Sequence, residues 1–470
     1  MKLTIKLPTV YTILFLLIVL IAALTWIVPA GQYEMTNNDL LGKSVPVAGT
    51  YHQVESSPQS IKDILLAPVK GFYDPHTNSA RAIDVALFVL IIGGFFGVIN
   101  KTKAIESGIF QITKKLKGRE IWMIPTLMGF FALGGTIFGM AEETLPFYTL
   151  VIPVMIAAGY DSVTGVAVVM IGAGIGTLGS TVNPFATIIA SNAAQISFTD
   201  GLGLRVFILI FAWIVCVLYV MAYAKKIKTN PELSLVASCK KENEEYFLHR
   251  TNSNTEQPLS IQQNLVLTTL LLVFVAMVIG VSFAGWWMAE ISALFIAATL
   301  VVGLIVKMNE ETLTSSFIDG ARELLGVAFI IALARGLVVL MDDGNITHTF
   351  LYSAENLLSD LSPIAFINAI YWVESFLSLL IPSSSGLAVL SMPVLAPLAD
   401  FANVPRELVV TAFQAASGLP NLVTPTSAIV MGGLALGRVP YGTWLKFMMP
   451  LLSMIILLVM ISLSIGVMLS

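Results

Sequence analysis

The 470-residue chain is 56% apolar and only 11% charged, against roughly 25% charged residues in an ordinary soluble domain. The bilayer is therefore its main solvent. A net charge of −4 gives no basic footprint for nucleic acid, and without an HExxH, Walker A or GxSxG motif enzyme chemistry has no anchor.

In chain order, "MKLTIKLPTVYTILFLLIVLIAALTWIVPAG" opens with an apolar run longer than a signal-peptide core, and "VPAGQYE" is a weak cleavage site. A retained first helix is expected. Further runs long enough to span follow near 84–100, 162–197, 201–223, 263–284, 286–307, 323–341, 405–437 and 440–468, after the first at 11–30. Two more apolar blocks, 120–158 and 362–400, are each interrupted by a polar, proline-containing centre. Segment 31–83 reads as a long mixed loop and 224–262 as a solvated linker dividing the chain. Trp26, Trp286 and Trp287 sit near span ends, as interfacial aromatics do.

Basic residues set the orientation. Lys2 and Lys6, the six basic residues of 101–119, and Lys225, Lys226 and Lys228 place those segments in the cytoplasm. The 342–362 loop has no Lys or Arg and carries Asp342, Asp343, Glu355 and Asp360, so it lies outside. The N-terminus is then cytoplasmic and the C-terminus external.

The two halves run in the same order. Span 84–100, amphipathic piece 105–117, block 120–158, interrupted span 162–197 and span 201–223 match span 323–341, piece 345–360, block 362–400, interrupted span 405–437 and span 440–468. One amphipathic piece lies inside and the other outside, which is the pattern of an inverted repeat. The expected fold is an all-α polytopic membrane protein of two inverted-topology repeats (1–223 and 263–470, with the linker between). Each repeat has a re-entrant hairpin and a discontinuous transmembrane helix.

The hairpin tips are Ala141–Pro146 and Ile381–Gly386; limb 147–158 is too short to span. Gly179–Pro184 and Gly418–Pro425 unwind the next helix of each half. Glu143 to Asn183 and Ser384 to Thr424 are each separated by forty positions. Backbone unwinds at membrane depth only where protein or a watery cavity receives its polar groups. Four such places in mirrored halves point at one central binding site, where helix termini favour ions of either sign.

The candidate residues follow. Glu142 and Glu143, beside Thr144 in "FGMAEETLPFY", need a cation, water or donors, because a carboxylate in hydrocarbon costs several kcal/mol. They suit a guanidinium or ammonium group, a coupling proton or sodium ion, or a buried cap. Ser180, Thr181 and Asn183, with Asn421, Thr424, Thr426 and Ser427, bring hydroxyls and amides that bind either sign or satisfy the freed backbone. Ser383, Ser384 and Ser385 are carboxylate donors or small packing residues. Gln414 is a weaker candidate. Arg335, mid-span, serves a substrate carboxylate or pairs with Glu374, which carries the same ambiguity. The run "GAGIGTLG" has no lysine or preceding strand and reads as helix packing. Cys216 lies mid-span and Cys239 in the linker, so no disulfide framework exists. His52, His76, His249 and His348 fall in loops, so neither a metal site nor a cofactor is expected; Na+ or H+ are the candidate coupling ions.

At "GMAEETLPFY", "GYDSVTG", "GSTVNPFATIIAS", "IPSSSGLAVLSMPVLAPLAD", "GLPNLVTPTS" and "VPYGTWLKF" the chain resembles the YfcC-type branch of the anaerobic four-carbon-dicarboxylate (DcuC-like) carrier family, within the ion transporter superfamily. The resemblance runs over nearly the whole chain. It implies a hairpin-plus-broken-helix plan, an elevator-type movement and, from relatives on this plan, a homodimer in a bacterial inner membrane. Related sodium–dicarboxylate symporters hold substrate carboxylates on Ser-Asn-Thr-type tips. Here the second tip keeps hydroxyls, but the first carries Glu142–Glu143. Some members of this branch are regarded as basic amino acid carriers, including arginine/ornithine exchangers, which fits that substitution. The expectation is a secondary transporter of a basic amino acid, with proton- or sodium-coupled carboxylate transport as the alternative. A channel would conduct faster and show no trans-stimulation.

Overall fold

The computed structural model describes residues 9–38, 43–105, 107–108, 111, 118–248, 260–358 and 361–470. Lys2, Lys6, His249, Asp360 and most of the 105–117 amphipathic piece lie outside the described residues.

Helix α1 (Val10–Leu24) starts at Thr9, whose hydroxyl accepts from the Thr12 N–H. Segment 31–83, expected to be a loop, is built. Gly31–Gln32 pairs antiparallel with His52–Gln53, and Met35–Asn38 pairs with Lys43–Pro46. Helix α2 (Ile61–Phe72) follows, opened by Asp63, whose carboxylate accepts from the Ser60 N–H at 3.0 Å and the Ser60 hydroxyl at 2.6 Å. Helix α3 (Ile83–Lys101) is a span.

Next come α4 (Met123–Phe138), a 3-10 turn at Glu142–Thr144, and α5 (Leu145–Ala157). At ~1.5 Å per residue, α5 is about 20 Å long, well short of the ~30 Å hydrocarbon core. Helix α6 (Ser162–Leu178) ends in an irregular stretch, resumes as a π-helical turn at Pro184–Ile188, and closes with α7 (Ile189–Ala193). Helix α8 runs Leu202–Thr229. The linker holds α9 (Lys240–Leu248) and is tied down. The Asp161 carboxylate accepts from Ser234 Oγ at 2.6 Å and Tyr223 OH at 2.7 Å, and Asn243 Nδ2 donates to Ser162 Oγ at 3.3 Å.

The second part contains α10 (Ile261–Phe283), α11 (Met288–Ile305), α12 (Glu310–Glu323), α13 (Leu325–Asp343), α14 (Thr347–Leu358), α15 (Pro363–Leu380), α16 (Ser384–Phe401), α17 (Arg406–Gly418), a 3-10 turn at Pro420–Leu422, α18 (Ala428–Leu436) and α19 (Tyr441–Leu469). Among the described residues eight helices are long and apolar enough to cross a membrane. The molecule is a multi-pass integral membrane protein; its described residues are mostly helical and form no closed sheet.

The packing partners alternate between the halves. Helices α1 and α2 lie on α13, while α11 and α12 lie on α3. Small residues allow these crossings. A Cβ on Gly320 of α12 would come 2.2 Å from the Gly93 carbonyl of α3, and one on Gly71 of α2 would come 2.1 Å from the Ala332 carbonyl of α13. Close backbone approach through glycine is how membrane helices gain packing where lipid offers no hydrophobic drive. Beside this layer, α4, α6 and α8 pack together, as do α15, α17 and α19, and α6 meets α17 between them.

Candidate functional site

Four interruptions meet at the α6–α17 contact. At the first, Gly139 takes a left-handed φ of 68° and ends α4. A Cβ there would lie 2.6 Å from the Asn183 amide, so only glycine lets this turn approach the break after α6. The Glu143 carboxylate accepts from the Ala141 N–H at 2.9 Å, and Thr144 Oγ1 donates to the Ala141 carbonyl at 2.7 Å. Glu143 therefore braces the turn. Glu142, next to it, accepts no hydrogen bond from another side chain or a neighbouring backbone group among the described residues.

At the second, Thr136 of α4 receives the freed backbone. Its Oγ1 accepts from the Thr181 N–H at 3.0 Å and donates to the Gly179 carbonyl at 3.3 Å. Ser180 is fully buried and accepts from Thr187 Oγ1 at 2.8 Å. At the third, Ser383 caps α16 by accepting from the Gly386 N–H at 3.2 Å, and its hydroxyl lies 3.4 Å from that of Ser385. At the fourth, α19 supplies the partners. Trp444 Nε1 donates to the Leu422 carbonyl at 2.9 Å and Tyr441 OH to the Val423 carbonyl at 2.7 Å. Thr424 and Thr426 bond each other at 2.7 Å, and Ser427 caps α18. This is how unwound backbone survives in a membrane protein.

A cavity of 440 Å³ lies where the breaks converge. Its walls include Glu142, Glu143 and Asn183 from the first half, and Ser383, Ser384, Ser385, Gln414, Asn421, Thr426 and Ser427 from the second. Arg335 of α13 lines it too and forms no ion pair with Glu374. Thr144, Ser180, Thr181, Thr424 and Glu374 are not on its walls; the first four hold the breaks together, and Glu374 is buried behind them. The N-terminal turns of α16 and α18 face the cavity through Ser384 and Ala428, and helix N-termini attract anions.

Among the lining residues absent from the candidates are Arg81, Asp84 and Trp287, as well as Thr177 and Ser417. Asp84 accepts from Trp287 Nε1 at 3.1 Å, and Arg81 pairs with Asp74 at 3.2 Å. Outside the span, Asp74 is held below the usual carboxylate range chiefly by the His76 N–H, with Arg81 a lesser cause. Arg81, Asp84 and Trp287 stand at ends of spans, where sequence offers no signal that they border a site.

The cavity is lined by acidic side chains (Asp84, Glu142 and Glu143), two arginines (Arg81 and Arg335) and a set of hydroxyls and amides. The family model described as "C4-dicarboxylate anaerobic carrier" matches residues 7–468. The chain belongs to the DcuC family. It is similar to an uncharacterized Haemophilus influenzae protein, 34% identical over 97% of this chain and 96% of that one. It is also similar to the Escherichia coli "putative basic amino acid antiporter YfcC", 31% identical over 96% and 94% respectively. Among solved structures it is similar to the Alcanivorax borkumensis YdaH transporter (12% identity, 98% and 99% covered, TM-score 0.41). Neisseria gonorrhoeae MtrF, from a class of antimetabolite efflux pumps, matches at 16% identity, 98% and 95% covered, with TM-score 0.42. As a DcuC family member the chain is a membrane transporter of small molecules, not an enzyme.

Proposed function

We propose that the chain exchanges basic amino acids across a bacterial inner membrane by alternating access. In this reading Glu142 meets the guanidinium or ammonium group of the side chain. Arg335, the Ser384 hydroxyl and the α16 and α18 N-termini meet the α-carboxylate. Glu143, Asn183, Gln414 and Asn421 shape the chamber between them. The supporting observation is one cavity lined both by Glu142, at the first break, and by Arg335 and hydroxyl donors from the second half. The similarity to a relative named a putative basic amino acid antiporter agrees.

The same reading takes α4–α5 and α15–α16 as re-entrant hairpins and α6–α7 and α17–α18 as discontinuous helices of two inverted repeats. The exchanged packing of α1 and α2 on α13, and of α11 and α12 on α3, supports that symmetry. The hairpin layer would move against the α3–α13 layer as an elevator. A second reading, a four-carbon dicarboxylate carrier, has Arg335 and Arg81 in its favour and the description of the family model. Counterflow decides between them. Proteoliposomes preloaded with ornithine should take up labelled arginine and not succinate; exchange of succinate alone would overturn the basic amino acid assignment.

A further inference from the structure

Among the described residues, Glu374 is an acid with both carboxyl oxygens buried and unpaired. It has no exposed surface, and neither oxygen has a hydrogen-bond partner among the described residues. It lies on α15, in the part of that helix nearer the turn at Pro382–Ser384 that borders the cavity. The hydroxyl close to it, Ser391 Oγ on α16, gives its proton to the Leu387 carbonyl at 2.9 Å. An ionised carboxylate so poorly provided with donors takes up a proton instead of remaining charged.

Its neighbours make a polar stripe through the protein. Tyr371, Glu374, Ser375 and Ser378 are all buried and fall at i, i+3, i+4 and i+7, one face of a helix. Among the described residues Tyr371 OH also has no partner at hydrogen-bond geometry, the Ser375 hydroxyl beside it being given to the Tyr371 carbonyl at 2.7 Å. One turn along, Ser378 Oγ reaches the Ser417 carbonyl at 3.5 Å, and Ser417 lines the cavity. Gln414, which lines it as well, donates to the Thr177 carbonyl at 3.1 Å but leaves its buried Oε1 without a donor. A purely structural stripe would have these groups paired.

We infer that Glu374 is a proton-binding site, separate from the substrate chamber, which carries one proton per transport cycle. The carboxylate oxygen takes a proton from water reaching it along the Ser378–Ser417 side. When access alternates the O–H bond breaks, the proton returns to water on the other side, and the electron pair stays on the carboxylate. Helix α15 packs against α14, α16, α17, α19 and the 420–422 turn. Their titratable groups are His348, Tyr352 and Glu355, Asp400, Arg406 and Glu407, and Tyr441 and Lys446; none bonds to Glu374. Arg406 is occupied by Asp400, with its Nε 3.0 Å from that carboxylate. The inference needs the chain to be a transporter but not that its substrate is a basic amino acid.

The test uses full-length protein in proteoliposomes, wild type beside Glu374→Gln and Glu374→Leu. Replacing an unpaired buried acid by an apolar group is expected to keep or raise thermal stability, so at least the leucine variant should fold. Infrared spectra at neutral pH should show a protonated-carboxyl carbonyl band that both variants lose. Counterflow of arginine or succinate, whichever the wild type exchanges, should respond to an imposed pH gradient. The variants should lose that response while retaining exchange without a gradient. An unchanged infrared band, or a variant that keeps the wild-type gradient response, overturns the inference. So does a wild type indifferent to the gradient, or failure of both variants to fold. Exchange of succinate alone would defeat only the substrate proposed above, since the infrared readout and the gradient response do not depend on it.

Discussion

The turns at Glu142–Thr144 and at Pro382–Ser384 solve one problem with opposite chemistry. Each must hold a bend deep in the protein, and each spends one side chain on a backbone N–H: Glu143 on Ala141, and Ser383 on Gly386. Each then leaves a neighbour facing the cavity, a carboxylate in the first (Glu142) and a hydroxyl in the second (Ser384). The lesson is that the two members of a matched pair of residues need not share a task. One side chain keeps the turn, and under the proposed function the other sets which charge the chamber accepts.

The sharpest way to break this comparison is Glu142→Gln. Removing one partner of a desolvated charge pair costs about 2–5 kcal/mol, so arginine affinity in counterflow should fall by roughly 30-fold or more. Unchanged affinity would make the first turn as neutral in function as the second. Arg335→Ala tests the opposite wall. Wild type should prefer arginine to agmatine, its decarboxylated analogue, by about tenfold or more, given ~1.5–3 kcal/mol for a hydrogen bond to a charged group. The variant should lose that preference, and a preference that survives would remove Arg335 from the site.

Gly139→Ala asks whether the first turn depends on its geometry. The left-handed φ alone costs about 1–2 kcal/mol with a Cβ, and the Asn183 amide is in the way. A lowered melting temperature with weaker transport is expected, and no equivalent sensitivity at Gly386, whose added Cβ would touch only Ser383 at 3.2 Å or beyond. Ser384→Ala should have the smallest effect, about fivefold in affinity for the ~1 kcal/mol of a neutral hydrogen bond. A larger loss would mean that the hydroxyl turn, not the acid turn, dominates recognition.

The positions of the helix interruptions were legible because glycine, proline and polar residues clustered in an apolar run break a membrane helix and little else. So was the membrane class, from composition alone. Helices α2 and α12 were not. At 12 and 14 residues both are too short and too polar to register as spans, although their glycines make some of the tightest backbone contacts in the molecule. The linker's attachment through Asp161 was equally hidden, because its partners, Tyr223 and Ser234, are remote in sequence. Within the site, sequence could place Glu142 and Glu143 together but not divide their roles, since adjacent residues differ only in where the turn aims them. The bracing of the fourth break by Tyr441 and Trp444 depends on α19 folding back, which periodicity does not show.

The exchange of α2 and α12 between halves bears on biosynthesis. As the ribosome delivers the amino-terminal half, the face of α3 bearing Gly93 and Gly97 has no mate until residues near Gly320 have been made. Neither half can complete its packing ahead of the other, so assembly has to be a late, joint event. A truncated product ending in the linker would expose that glycine face to lipid and invite association with whatever small-residue helix it met first.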